Sequence, residues 1–120
     1  MRVVERWWNV WRDGDLDTLE EIIAEPFVRH SARGTVRRTT RKQVREDMVQ
    51  FRESVELAEV RIDDYAVAGD QVWCRVTTTG VNVATEESRT FSWLQTCRVV
   101  DGRIEEMWWL YALNLDWSKP

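Results

Sequence analysis

His30 is the single histidine of a 120-residue chain and the one side chain type whose ordinary pKa lies near neutrality, so acid–base chemistry at neutral pH looks to it first. Facing a pocket, it would serve as general base or acid; at a strand end, it would merely bond a backbone carbonyl. Asp47 is the second candidate. It lies three residues after Val44 and four before Phe51, on the apolar stripe of a helical pattern. Burial there would raise its pKa and suit it to proton transfer, unless it leans out toward a nearby Arg or Lys.

Arg75 and Gln95 would supply the fixed polar groups that orient a ligand in an aromatic cavity. Gln95 can donate to a carbonyl or enolate oxygen without carrying charge. Arg75 has a competing reading, as an ion-pair partner of Asp47, Glu86 or Glu105. Its facing is also contested, because Val72, Cys74 and Val76 form the more apolar alternation on its strand. Tyr111 is either a hydroxyl donor or core. Of eight tryptophans, most belong to the core, while Trp7, Trp11, Trp73, Trp93 and Trp109 are candidates for stacking on a flat ring.

The segment from Arg29 to Arg45 holds Arg29, Arg33, Arg37, Arg38, Arg41, Lys42 and Arg45 and no acidic residue. It is either a solvated face or an attractor of an anionic substrate such as a carboxylate or a phosphate-bearing thioester. Elsewhere the balance is acidic: the net charge of -4 and pI near 5.1 argue against nucleic acid as a partner. Cys74 and Cys97 lack metal-ligand spacing, and a lone histidine leaves no zinc set. There is no signal-peptide pattern and no membrane-length apolar run, so a soluble, cytoplasmic protein is expected.

The elements that must position these residues follow from periodicity. Arg2 to Asp13 has Val3, Val4, Trp7, Trp8 and Trp11 at helical spacing, and Gly14 supplies the stop. Asp17-Thr-Leu-Glu20 reads as a capping box opening a short helix through Ala24, ended by Pro26. Phe27 to Ser31 is extended. Thr40-Arg-Lys-Gln43 caps a third helix with the stripe Val44, Met48, Phe51 and Val55. From Ala58 the pattern is strands, with a bulge at Asp63-Asp64, a turn at Gly69-Asp70, a strand from Gln71 to Thr79 and a connection over Asn82 to Glu87.

Asp101-Gly102 then joins two runs rich in aromatic and β-branched residues, a hairpin signal. A three-residue loop is expected, pairing Gln95 with Met107 and Trp93 with Trp109. One face then carries Phe91, Trp93, Gln95, Cys97, Met107, Trp109 and Tyr111, a cavity lining. The other carries Thr90, Ser92, Leu94, Thr96, Arg98, Trp108 and Leu110, and its apolar members require cover by a partner chain or by the protein itself. Three helices followed by a meandering sheet make an α+β domain covering residues 1–120.

Four motifs in this order carry a resemblance: Trp11-Arg-Asp-Gly-Asp-Leu-Asp-Thr-Leu, Phe27-Val-Arg-His30, Gly69-Asp-Gln-Val-Trp-Cys-Arg75 and Asp101-Gly-Arg-Ile-Glu-Glu-Met-Trp108. Together they resemble the nuclear transport factor 2-like superfamily, nearest its SnoaL-like polyketide cyclase and ketosteroid isomerase-like branches. The resemblance implies a cone of curved antiparallel sheet wrapped around three helices, a cystatin-like α+β barrel with an apolar pocket, often a homodimer through the sheet's outer face. It implies less about chemistry. The oxyanion and base positions of ketosteroid isomerases correspond here to Trp7, Gln95 and Ser31. The histidine and aspartate of SnoaL-like cyclases correspond to Gln95 and Trp109. Limonene epoxide hydrolases place an arginine between two aspartates, which here leaves Arg75 between Thr77 and Trp109. The expectation is therefore a cofactor-independent, metal-free isomerase, cyclase or dehydratase acting on a hydrophobic cyclic or aromatic molecule, with a non-catalytic binder and a dimeric interaction module as alternatives. His30 or Asp47 would move the proton; Arg75, Gln95 and Tyr111 would polarise oxygen.

Overall fold

The computed structural model describes residues 1–31 and 33–117. Helix α1 spans Arg2–Asp13 and ends where the pattern ends it. Gly14 takes the left-handed conformation, with φ at 77°, and its N–H returns to the carbonyl of Val10. A Cβ on Gly14 would lie 2.8 Å from the guanidinium carbon of Arg52, which donates to the carbonyls of Trp11 and Arg12 at 3.0 and 2.8 Å. This helix end thus requires both a positive φ and the absence of a side chain.

The expected capping box at Asp17 does not form. A 3-10 turn, Leu16–Thr18, leads into a single helical turn, α2 (Leu19–Ile22), neither with a side-chain cap. Asp17 instead accepts from Arg45. Ile23 and Ala24 begin strand β1 (Ile23–His30) rather than continuing the helix. Tertiary burial overrides the local signal, because Ile23, Phe27 and Arg29 all point into the core. Strand β2 (Val36–Thr39), a stretch to which periodicity assigns no element, pairs antiparallel with β1. Helix α3 (Arg41–Ser54) starts on the expected capping box, with Thr40 accepting from the Gln43 N–H and Gln43 accepting from the Thr40 N–H.

Four long strands follow: β3 (Val55–Ala68), β4 (Gln71–Asn82), β5 (Ser88–Val100) and β6 (Arg103–Leu113). The β3 bulge falls at Asp63, between the pairs Ile62–Val76 and Asp64–Arg75. The sheet order is β2-β1-β6-β5-β4-β3. All pairs are antiparallel except β1 with β6, so the curved sheet is mixed where a wholly antiparallel one was expected. It is an α+β cone left open rather than closed into a barrel. The helices cover its inner face through Val4, Trp7, Trp8, Ile22, Val44 and Met48, packed on Phe27, Val76, Cys97, Ile104 and Met107. No helix among the described residues is long and apolar enough to cross a membrane.

The hairpin corrects the expected register. Asp101 and Gly102 both have positive φ, 53° and 75°, which makes a two-residue turn of the type matched to strand twist. Val100 pairs with Arg103 and Val99 with Ile104, but Arg98 pairs with Glu106, so Glu105 is an extra residue on β6. The bulge moves Gln95 opposite Trp109 and Trp93 opposite Tyr111. This is two residues from the expected pairing, and an even slip keeps every side chain on its expected face.

Candidate functional site

The inner face of β5 and β6 places Gln95 among aromatic rings. Gln95 is 4% exposed. The Trp8 indole N–H donates to its carbonyl oxygen at 3.1 Å, and the Cys74 thiol reaches the same oxygen at 3.4 Å. That oxygen is committed, which fixes the amide orientation. Among the described residues the amide nitrogen has only the Met107 sulfur as acceptor, at 3.2 Å, and sulfur is a weak acceptor. A carbonyl or enolate oxygen would be a better partner for that N–H.

Around Gln95 the rings form a graded lining. Trp8 meets Trp93 edge-on at 5.5 Å, and Trp93 meets Tyr111 at 5.0 Å and Phe91 at 6.3 Å. Tyr111 is 52% exposed, while Trp93 and Trp109 are half-buried on the same core. The Trp93 N–H is held by Thr78. Trp7 and Trp11 lie deeper in the helix packing, against Phe27 and Phe51 respectively. The inner face thus carries a buried polar point at Gln95 beside the rings of Trp93, Trp109 and Tyr111.

Asp47 sits at the seam between α3 and β1. Arg29 donates to its Oδ2 at 2.6 Å and Arg37 to the same oxygen at 3.2 Å. It is therefore an ion-paired, half-buried carboxylate, as the outward-pairing alternative had it. Part of the basic run is paired in the same way: Arg41 pairs with Glu25 and Arg45 with Asp17, beside the Arg29 and Arg37 pairs to Asp47.

His30 lies on the face of the sheet turned away from the helices. Alternation along β1 turns Phe27 and Arg29 inward and His30 outward, beside Trp108. Its Nε2 lies 2.6 Å from Glu106 Oε2, and Arg98 donates to the other Glu106 oxygen at 2.8 Å. His30 stacks on Trp108 with ring centroids 4.9 Å apart. Arg75 is also on the outer face, paired with Asp64 at 3.3 Å, so hydrophobic alternation rather than family position describes its facing. A cavity of about 710 Å³ on this side of the sheet is lined by His30, Arg75, Gln95 and Trp109, four of the candidate site residues, together with Trp73 and Trp108 among others. No group of His, Cys, Asp and Glu among the described residues is placed to hold a metal ion.

The family model for the SnoaL-like domain matches residues 4–107. The chain belongs to the SnoaL-like domain family, within the nuclear transport factor 2-like superfamily. IdmH of Streptomyces antibioticus, described as a candidate polyketide cyclase, is 25% identical with a TM-score of 0.72, over 92% of this chain and 89% of IdmH. An LEH-like epoxide hydrolase of M. tuberculosis is 20% identical with a TM-score of 0.79, over 92% of this chain and 80% of its own. A protein of ketosteroid isomerase-like fold from Catenulispora acidiphila, solved with trimethylamine, is 19% identical with a TM-score of 0.78, over 92% of this chain and 85% of its own. The last two likenesses show the fold alone. No curated protein matches the chain significantly.

Within this SnoaL-like chain, sequence reasoning had named Gln95 but missed the groups that set it. Trp8 was read only as part of a helical stripe, yet its N–H decides which way the amide points. Glu106 and Arg98 were not singled out beside His30, although Glu106 and Trp108 are two apart on one strand and so share a face. Arg29 was counted as one of a basic run. The signal for its burial was its place two residues after Phe27 in a short extended segment.

Proposed function

We propose that this SnoaL-like protein acts on a hydrophobic cyclic or aromatic small molecule bound around Gln95, by cofactor-independent acid–base chemistry of the isomerase, cyclase or dehydratase kind. The observation that carries this reading is the oriented Gln95 amide, whose N–H is satisfied only by a sulfur inside an aromatic lining. A ligand oxygen placed there would gain a fixed, water-excluded donor as charge develops on it. Trp93, Trp109 and Tyr111 supply the ring contacts. With His30 on the other face, proton transfer falls to Asp47, which Arg29 and Arg37 hold in place. Membership of a family whose relatives include a candidate polyketide cyclase supports a small-molecule enzyme. A second reading, a non-catalytic binder of the same kind of molecule, is favoured by the commitment of Asp47 to two guanidinium groups.

A panel of polycyclic enones, phenols, steroids and acyl thioesters, titrated against tryptophan fluorescence and followed by mass spectrometry and NMR, tests both. Conversion that survives with ligand affinity within about tenfold in Asp47→Asn removes Asp47 from the proton-transfer role. The expected result is loss of turnover by at least about a hundredfold with binding retained. Gln95→Leu should weaken binding of a carbonyl ligand about threefold to tenfold and leave its deoxygenated analogue unchanged. Binding without conversion by the parent protein establishes the second reading.

A further inference from the structure

Among the described residues Arg29 is the one charged side chain buried in the core, at 7% exposed, and its guanidinium is only partly used. A terminal nitrogen donates to Asp47 Oδ2 at 2.6 Å, and the Phe27 ring lies 5.8 Å from the guanidinium carbon. The Nε–H is buried and, among the described residues, meets no acceptor. A buried donor without an acceptor is uncommon and destabilising, which marks it as a place for a group the polypeptide does not itself supply.

The charge around this donor points the same way. Arg29 and Arg37 share a single carboxylate oxygen, Asp47 Oδ2, so the three groups carry one positive charge in excess. Glu46, the neighbouring carboxylate on α3, is exposed and pairs with neither arginine. A buried charge is stabilised when it is paired. Arg33, Arg38 and Lys42, from the same basic stretch, are exposed and add a long-range attraction for an anion.

Gln95 offers a second donor. Arg29 and Met107 are register partners on the inner face of β1 and β6, and on the other side of Met107 the Gln95 amide nitrogen lies 3.2 Å from its sulfur. Two N–H groups thus flank one methionine, one with a weak acceptor and one with none. Methionine adapts its shape more readily than other core side chains, so a ligand can take the place of the thioether while the strands stay paired.

We propose that Arg29 is a ligand-binding residue and that the molecule bound around Gln95 carries a carboxylate. The carboxylate accepts from Arg29 Nε–H, the ring system displaces the Met107 thioether, and a ring carbonyl accepts from Gln95. Two carboxylates then balance two guanidinium groups. The carbonyl contact rests on the proposed binding at Gln95; the carboxylate contact rests on Arg29 alone.

The experiment titrates the full chain, labelled with nitrogen-15, with 1-indanone-5-carboxylate, with 1-indanone and with indane-5-carboxylate. NMR follows the Arg29 Nε–H, assigned through its proximity to the Phe27 ring, together with the Gln95 side-chain amide and the Met107 methyl group. Both carboxylates should move the Arg29 resonance saturably and 1-indanone should not, while both ketones should move the Gln95 amide. All three should move the Met107 methyl. The ketone should bind at least about tenfold more weakly than the keto acid. Arg29→Lys, which keeps the charge and loses the planar fork, should bring the keto acid to within about threefold of the ketone and leave the ketone's own affinity unchanged. The ligand comparison uses the parent chain, so it decides the matter even where Arg29→Lys fails to fold. An Arg29 Nε–H unmoved at saturation by both carboxylates overturns the proposal, as does equal affinity for keto acid and ketone. A cross-peak to water that persists at this N–H through the titration also overturns it, by giving the donor a resident water. Movement of Arg29 by the carboxylates, with the Gln95 amide unmoved by either ketone, keeps the assignment of Arg29 and sinks Gln95 as the carbonyl donor. A chain that binds none of the three overturns both.

Discussion

Two buried thiols flank the Gln95 amide, and they carry a pH signature. Burial pushes the Cys74 thiol up from 9.0 to about 12. Cys97 moves further in the same direction, through burial and then through its proximity to Cys74. Both side chains are therefore neutral thiols in the folded protein under ordinary conditions, which suits Cys74 to donate to the Gln95 oxygen and makes neither a nucleophile. A group whose folded pKa is raised contributes stability that is complete below its unfolded pKa and is lost as pH rises toward the folded one. The denaturation midpoint should hold steady to about pH 8.5 and fall as pH climbs from about 9 toward 12. Replacing both cysteines by alanine should lower stability at neutral pH through lost packing, yet flatten that alkaline fall. A fall of unchanged size in the double variant would assign it to other groups. The position of Gln95 on a cavity-lining face was legible from alternation on its strand. Its orientation was not, because it depends on an indole N–H that is 87 residues away in the chain.

At the scale of elements, the joint between α1 and the rest of the fold rests on Gly14 and Arg52. The guanidinium of Arg52 crosses from α3 to the last carbonyls of α1, and it does so through space that a side chain at position 14 would occupy. Gly14→Ala should cost about 1–2 kcal/mol for the left-handed backbone and more for displacing Arg52 from two acceptors. The two contributions separate in a double-mutant cycle. In an Arg52→Ala background the Gly14→Ala cost should shrink toward the backbone value, as measured by urea denaturation. An identical cost in both backgrounds would mean that Arg52 moves aside freely. The glycine stop and the Thr40 capping box were both readable because each is local, a matter of residues within four positions. Strand β2 was not readable, since Val36, Arg37 and Arg38 are exposed and only pairing with β1 makes them a strand. The facing of His30 failed for a related reason. The alternation of β1 sends an arginine inward, and that arginine is tolerated there only because α3 brings Asp47 to it. The Glu105 bulge hid in a run of two glutamates, either of which could have taken the register.

At the scale of the whole molecule, the mixed sheet has two faces with different obligations. Helices close the inner one. On the outer one, the chain after Leu113 doubles back and covers the end nearest Ser92 and Thr77, which are 1% and 3% exposed. Asn114 donates its N–H to the Thr90 carbonyl at 2.7 Å, Ser92 donates to the Leu115 carbonyl, and Arg61 reaches Asp116 at 3.0 Å while also holding Asp63. Thr77 donates to the same Asp63, so the tail is joined to the β3 bulge through one arginine. Ending the chain after Leu113 should therefore cost more than a frayed terminus would. Removing acceptors from partly buried donors is expected to lower stability by about 1–3 kcal/mol. Hydrogen exchange should quicken most in β5 around Ser92 and in β4 around Thr77, with little change at Gln95, which the helices protect from the other side. If the midpoint in urea and the exchange of both strands are unaltered, the tail only rests on the sheet, and the outer face near Ser92 is stable without cover. The predicted pattern would instead show that the chain closes one end of its outer face itself and leaves the end at Trp73 exposed.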